Sequence, residues 1–114
     1  EFPSIVCQSY ISYNYYIALK APISRLGAAA MLESIGAKYA KQSALTLMSL
    51  LDLKAGQLKF VFGHGDTDVG HTADIFNLLS SSNLSSEDWA NLKNAAYVSS
   101  RLYKSMYDEV ASST

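Results

Sequence analysis

Residues 58–81 read LKFVFGHGDTDVGHTADIFNLLSS, and the interpretation of the whole sequence starts from this stretch. Its apolar residues recur at spacings of three and four, as on one face of an α-helix, and not at the spacing of two that a strand requires. The pattern therefore predicts a helix. Gly63, Gly65 and Gly70 each cost an exposed helix interior about 1 kcal/mol relative to alanine, so these glycines need a structural or functional reason.

The same stretch places three polar side chains on one side of the predicted helix. At about 100° per residue, His64, Asp68 and His71 fall within an arc of about 60°. Phe60 and Ile75 continue this stripe, which predicts that the face is buried. Buried imidazoles and carboxylates are costly unless they are paired or bind a metal. The three side chains are therefore candidate ligands of a metal ion.

Glu33 is a fourth candidate ligand, because the residues around it are mostly apolar and a carboxylate there requires a partner. Mixed oxygen and nitrogen ligands suit iron or manganese better than a metal that prefers thiolates, and zinc is also compatible with them. We predict a metal site that holds one or two iron ions, with manganese or zinc as alternatives. Its predicted ligands are Glu33, His64, Asp68 and His71.

A metal-free interpretation of the same residues remains open. In it His64 and His71 are half-buried histidines that form hydrogen bonds with Asp68 and a tyrosine, and Glu33 pairs with a lysine or arginine. Short motifs such as H-x3-D-x2-H are frequent by chance, so the spacing alone does not decide between the two.

The rest of the chain continues the helical spacing and predicts an all-α bundle of about five helices. Ser4 is a predicted N-cap, Gly36 a predicted C-terminal cap or kink, and Ser85 with Asp88 a capping box. The predicted helices are about Ser4 to Leu19, Pro22 to Gly36, Ala37 to Leu51, Leu58 to Ser81, and the segment that follows Ser85.

Composition limits the class of protein. With 114 residues and 49% hydrophobic content, the sequence predicts a single domain over 1–114. The formal net charge of -1 and the scattered basic residues argue against nucleic acid as a partner. No apolar stretch reaches the roughly 18 residues of a membrane span. A single cysteine, Cys7, and the absence of a secretory signal predict a cytoplasmic protein.

The segment FVFGHGDTDVGH, from Phe60 to His71, resembles the metal-binding helix of haem-oxygenase-like di-iron oxidases, whose pattern is H-x3-D-x2-H. In that family a bridging glutamate comes from a helix about thirty residues upstream, within a segment that contains small residues and ends in Leu-Glu or Met-Glu. Here AAAMLE, ending in Glu33, stands in that place. The resemblance implies a partial haem-oxygenase-like fold, iron as cofactor, and dioxygen and a small organic molecule as substrates.

The chain also departs from the family. Members have about twice its length, and an N-terminal helix supplies a further Glu and His in a Glu-x6-His pattern that does not occur before Glu33. The chain thus resembles the C-terminal half of such an enzyme. It is a fragment, or the missing ligands come from another chain, or it holds one metal or none.

Three hypotheses of function follow. The first is a metal-dependent oxidoreductase, or a fragment of one, that uses iron and dioxygen. The second is a metal-free enzyme similar to thiaminase-II-like and pyrroloquinoline-quinone-synthase-like proteins, with Cys7 as its candidate nucleophile. The third is a non-catalytic helical assembly protein. An incomplete helical domain exposes part of its apolar surface, so we expect a homo-oligomer under each hypothesis.

Overall fold

A computed structural model describes residues 2–113 and shows that this part of the chain is all-α. No strand occurs in this part of the chain, so the predicted fold class is confirmed. No helix among these residues has both the length and the apolar character that crossing a membrane requires. The helices are α1 (Ile5–Lys20), α2 (Ser24–Leu51), a short 3-10 helix (Ala55–Gln57), α3 (Lys59–Ser81) and α4 (Ser86–Ser112).

Helix α2 corrects the predicted helix count. Its 28 residues are continuous, where the sequence predicted two helices that meet at Gly36. The described residues therefore contain four α-helices, not about five. Glycine has a low helix propensity, but most of the stability of a helix in a protein comes from tertiary packing, and packing overrides propensity at this position.

The end of α2 is determined by a local hydrogen bond and not by glycine. Asp52 has a positive φ of 51°, and the Leu53 N–H donates to the Met48 carbonyl oxygen over 3.1 Å. This is the C-terminal motif in which one residue in the left-handed region stops the helix, a conformation that aspartate tolerates better than most residues. The predicted end near Leu51 is confirmed.

Both predicted N-caps are present. The Ser4 hydroxyl accepts from the Cys7 N–H at the start of α1. At the start of α4 the Ser85 hydroxyl accepts from the Asp88 N–H over 3.1 Å, while the Asp88 carboxylate accepts from the Ser85 N–H over 3.0 Å. The capping box therefore satisfies two backbone groups that would otherwise lack partners.

The described residues form two compact units. The first contains the chain up to Met31 and the chain from Asn83 onward, and within it α1 packs against α4. Ile17, Ala28 and Ala95 form its buried apolar cluster, with Tyr13 packed against them. Small side chains at this cluster let the helix backbones lie close together.

The second unit is Leu32–Ser82, and in it α3 packs on the C-terminal part of α2 at a glycine. A Cβ added at Gly65 would lie 3.1 Å from the backbone nitrogen of Lys41. Gly63 and Gly70 have no neighbour within 4 Å of such an atom, so of the three glycines in α3 only Gly65 is explained by a close approach.

This packing corrects the predicted buried face of α3. Its buried residues are Gly65, Asp68 and Leu79. His64 and His71 are exposed, and Phe60 is 75% exposed. Of the three candidate ligands on α3, only Asp68 lies on the packed face, because the helix turns Gly65 and Asp68 toward α2.

Candidate metal centre

Three of the four predicted ligands come together inside the second unit. Glu33 extends from α2, and Asp68 and His71 extend from α3, one helical turn apart. One possible ligand atom from each of these three side chains lies within 4.8 Å of the others. Within residues 2–113 no other group of histidine, cysteine, aspartate or glutamate side chains converges in this way.

Glu33 and His71 contact each other directly. The His71 Nδ1 donates to Glu33 Oε2 over 3.1 Å. The His71 side chain is 54% exposed and that of Glu33 is 29% exposed. This side of the cluster is open to solvent, so a solute can reach the carboxylate and the imidazole.

Asp68 is the unusual member of the cluster. The residue is only 4% exposed, and one of its carboxylate oxygens lies within 4.8 Å of a possible ligand atom of Glu33 and of His71. A carboxylate on a largely buried residue contacts less water than one at the surface, and a cation held between Asp68 and its two neighbours would offset that loss.

Gly36 makes room for this carboxylate. A Cβ added at Gly36 would collide with Asp68 Oδ2 and would lie 2.8 Å from Asp68 Cγ. The Asp68 carboxylate therefore occupies the space that any side chain at residue 36 would fill.

The spacing of the three groups fits a single ion. Bonds from a metal to oxygen or imidazole nitrogen are about 2.0–2.2 Å long, so donors on opposite sides of one ion lie at most about 4.4 Å apart. The possible ligand atoms of the three residues lie within 4.8 Å of one another. They would need to approach one another by roughly a few tenths of an ångström to bind one ion. Two carboxylates and an imidazole are ligands that iron, manganese and zinc accept.

His64, the fourth predicted ligand, is not part of the cluster. Its ring stacks on Phe60 with centroids 4.0 Å apart. Its Nδ1 lies 2.9 Å from the Phe60 carbonyl oxygen, which can only accept, so Nδ1 carries the hydrogen and donates. His64 does not lie within the 4.8 Å that unites the possible ligand atoms of the three convergent groups.

Two residues near the cluster were not identified from the sequence. Gly36 was interpreted as a helix end, and only its contact with Asp68 reveals its role. Thr72, one turn after Asp68 on α3, has a buried hydroxyl with no hydrogen-bond partner in the described chain. Its position four residues after Asp68, on the same face of α3, is the sequence signal that could have identified it.

The first unit contains a tyrosine cluster. The rings of Tyr10 and Tyr103 lie 6.3 Å apart, and those of Tyr103 and Tyr107 lie 5.2 Å apart. The hydrogen bond with Tyr107, together with burial, raises the pKa of Tyr103 to about 12. Tyr103 therefore remains protonated at neutral pH and does not supply a phenolate base or nucleophile.

Comparison with protein-family models, with curated proteins and with solved structures finds no match for this chain.

Proposed function

We propose that the chain binds one divalent metal ion, iron, through Glu33, Asp68 and His71, and that this centre belongs to an oxidoreductase acting on a small organic substrate. The observation that carries the proposal is the convergence of Asp68, which is only 4% exposed, with Glu33 and His71. The resemblance of the H-x3-D-x2-H segment to haem-oxygenase-like di-iron oxidases supports the same chemistry.

The donor set favours iron. Carboxylate and imidazole ligands suit ferrous iron and manganese, and zinc is the main competitor. Iron held by these three protein groups would retain open coordination positions, and it would supply the redox chemistry by which electrons pass from the substrate to dioxygen.

Each of the three residues has its own task. Asp68 would provide a carboxylate ligand from a largely buried residue, where an ionic interaction is stronger than at the surface. Glu33 accepts the hydrogen of His71 Nδ1 and so holds the imidazole in a fixed orientation before any ion arrives. The exposed side of His71 leaves a route by which a substrate can approach.

The first experiment measures Fe(II) and Mn(II) binding under anaerobic conditions by isothermal titration calorimetry, with metal analysis of the isolated complex. We expect one ion per chain, and much weaker but measurable binding in Asp68→Ala and His71→Ala. His64→Ala is the matched control, because it removes an exposed histidine of the same helix that lies outside the cluster. Its affinity should equal that of the unsubstituted chain.

Two results would contradict the metal site. One is the absence of Fe(II) and Mn(II) uptake by the unsubstituted chain. The other is unchanged affinity in Asp68→Ala. If a metal binds but the chain does not consume dioxygen with candidate substrates, the oxidoreductase part of the proposal fails while the binding site stands.

A second proposal is that the chain associates with a copy of itself. Large apolar side chains remain uncovered on α1, where Tyr15 is 70% exposed and Leu19 is 78% exposed. Contiguous apolar surface of this kind is typical of an interface. Sedimentation velocity over a range of concentrations should reveal a dimer that Leu19→Ser weakens, and a monomer at every concentration would contradict the proposal.

A further inference from the structure

Gly36 lies in the interior of α2, three residues after Glu33. Glycine at such a position weakens a helix relative to alanine, because it has more conformational freedom to lose on folding. Nothing in the local backbone requires it, since no described glycine has a positive φ. The reason for a glycine at this position must come from its neighbours.

Those neighbours are atoms of one side chain. A Cβ at Gly36 would lie 2.8 Å from Asp68 Cγ and 3.3 Å from Asp68 Cβ, and closer still to Oδ2. Rotation about the Cα–Cβ bond of Asp68 can swing Oδ2 and Cγ away from residue 36, but the α3 backbone holds the Asp68 Cβ in place. A methyl group at residue 36 therefore forces the carboxylate to turn or α3 to move away from α2.

The other glycines make a different kind of contact. A Cβ at Gly27 would meet backbone atoms of Leu92, and one at Gly65 would come closest to the backbone of Lys41. Positions 56, 63 and 70 face open space. Gly36 alone among the described glycines faces a carboxylate, and that carboxylate belongs to the proposed metal centre.

The position of Gly36 on its helix completes the geometry. Residues three apart on a helix are neighbours on one face, so Gly36 lies beside Glu33. Asp68 and His71 have the same relation on α3. The carboxylate that rests on Gly36 is thereby held next to the Glu33–His71 pair, which is consistent with the convergence of all three ligand atoms.

We propose that Gly36 is a positioning residue of this centre: the absence of a side chain there lets the Asp68 carboxylate lie against α2 and share one ion with Glu33 and His71. This inference rests on the proposed metal site. Gly36 contributes no donor atom and acts through Asp68.

The test compares Mn(II) affinity, measured by electron paramagnetic resonance, in Gly36→Ala and Gly63→Ala. Both substitutions increase helix propensity, but only the first places a methyl group against Asp68. We expect Gly36→Ala to weaken binding about 10-fold or more, the scale seen when a residue that orients a metal ligand is changed. Gly63→Ala should bind as the unsubstituted chain does. Equal affinities in the two variants overturn the inference.

A double-substitution cycle separates positioning from a general effect on the fold. In an Asp68→Ala background the methyl group at residue 36 has no carboxylate to displace. Adding Gly36→Ala should then leave the weakened Mn(II) affinity unchanged. A further loss of similar size would show that residue 36 acts through something other than Asp68, and would overturn the inference.

A measurement on the metal-free chain keeps the two proposals distinguishable. The side-chain carboxyl carbon of Asp68 should change its NMR chemical shift in Gly36→Ala and keep it in Gly63→Ala. If the unsubstituted chain takes up no metal while the Asp68 resonance moves as expected, the metal site fails and the contact stands. If the resonance stays in place in both variants, the role of Gly36 is overturned whatever the metal result.

Discussion

Ser99 illustrates how much a single buried polar atom can matter. The residue lies in α4 with 0% exposure, and its hydroxyl has no hydrogen-bond partner within the described chain. A buried hydroxyl that loses its contact with water and gains no partner costs about 1–3 kcal/mol. The Thr72 hydroxyl in the second unit and the Tyr13 hydroxyl in the first are likewise buried without a hydrogen-bond partner in the described chain.

We predict that Ser99→Ala raises the free energy of unfolding by about 1–2 kcal/mol, because it removes the unpartnered hydroxyl and improves helix propensity. Urea denaturation provides the measurement. Ser105→Ala on the same helix is the control, since the Ser105 hydroxyl donates to the Arg101 carbonyl oxygen over 2.9 Å. A Ser99→Ala variant that is less stable than Ser105→Ala would contradict this prediction.

The candidate site was only partly predictable at the level of residues. The types and spacing of Asp68 and His71 identified them, and the apolar surroundings of Glu33 identified that carboxylate. The exclusion of His64 could not be foreseen, because apolar periodicity gives a glycine no weight when the packed face of a helix is assigned. Gly65 determines that face through its contact with Lys41, and this contact joins distant parts of the sequence.

Helix starts were the most predictable elements, because their signals are local. The Ser85 and Asp88 pair lies within one helical turn, and its hydrogen bonds form as expected. The break predicted at Gly36 failed for the opposite reason. The low helix propensity of Gly36 was outweighed by packing against Asp68, which lies on another helix, α3.

The capping box of α4 predicts a dependence of stability on acid. Hydrogen bonds from the Ser85 hydroxyl and then from its backbone N–H lower the pKa of Asp88 from its usual 3.8. A carboxyl whose pKa is lower in the folded state contributes stability above its unfolded pKa and loses that contribution as the pH falls through the folded value. The stabilisation should therefore be complete at neutral pH and decline below about pH 4.

Thermal unfolding of Asp88→Ala tests this expectation. The variant should melt at a lower temperature than the unsubstituted chain at pH 7, and the difference should shrink as the pH is lowered toward about 3. Asp74→Ala, which removes an exposed aspartate from α3, serves as the control. Its difference in melting temperature from the unsubstituted chain should depend less on pH than that of Asp88→Ala. If the difference in melting temperature between Asp88→Ala and the unsubstituted chain grew on acidification, the role of Asp88 in the capping box would be contradicted.

For the whole molecule, the all-helical class followed from apolar spacing that holds along nearly the entire chain. The single domain over 1–114 stays a prediction, because the described residues group into two compact units. The ligands of the candidate centre lie in the second unit, and the single tryptophan, Trp89, lies in the first. The chain therefore contains a natural fluorescent probe in the unit that does not contain the proposed site.

Metal binding can therefore test whether the two units unfold together. A ligand that binds only the folded state stabilises it by about 2.7 kcal/mol at 100 times its dissociation constant. Chains shorter than about 150 residues usually unfold in one step. We therefore expect Mn(II) to raise the unfolding midpoint equally when it is followed by far-ultraviolet circular dichroism, which reports all helices, and by Trp89 fluorescence. Asp68→Ala should abolish both shifts. A shift in circular dichroism without a shift in fluorescence would show that the two units unfold separately and would contradict the single domain.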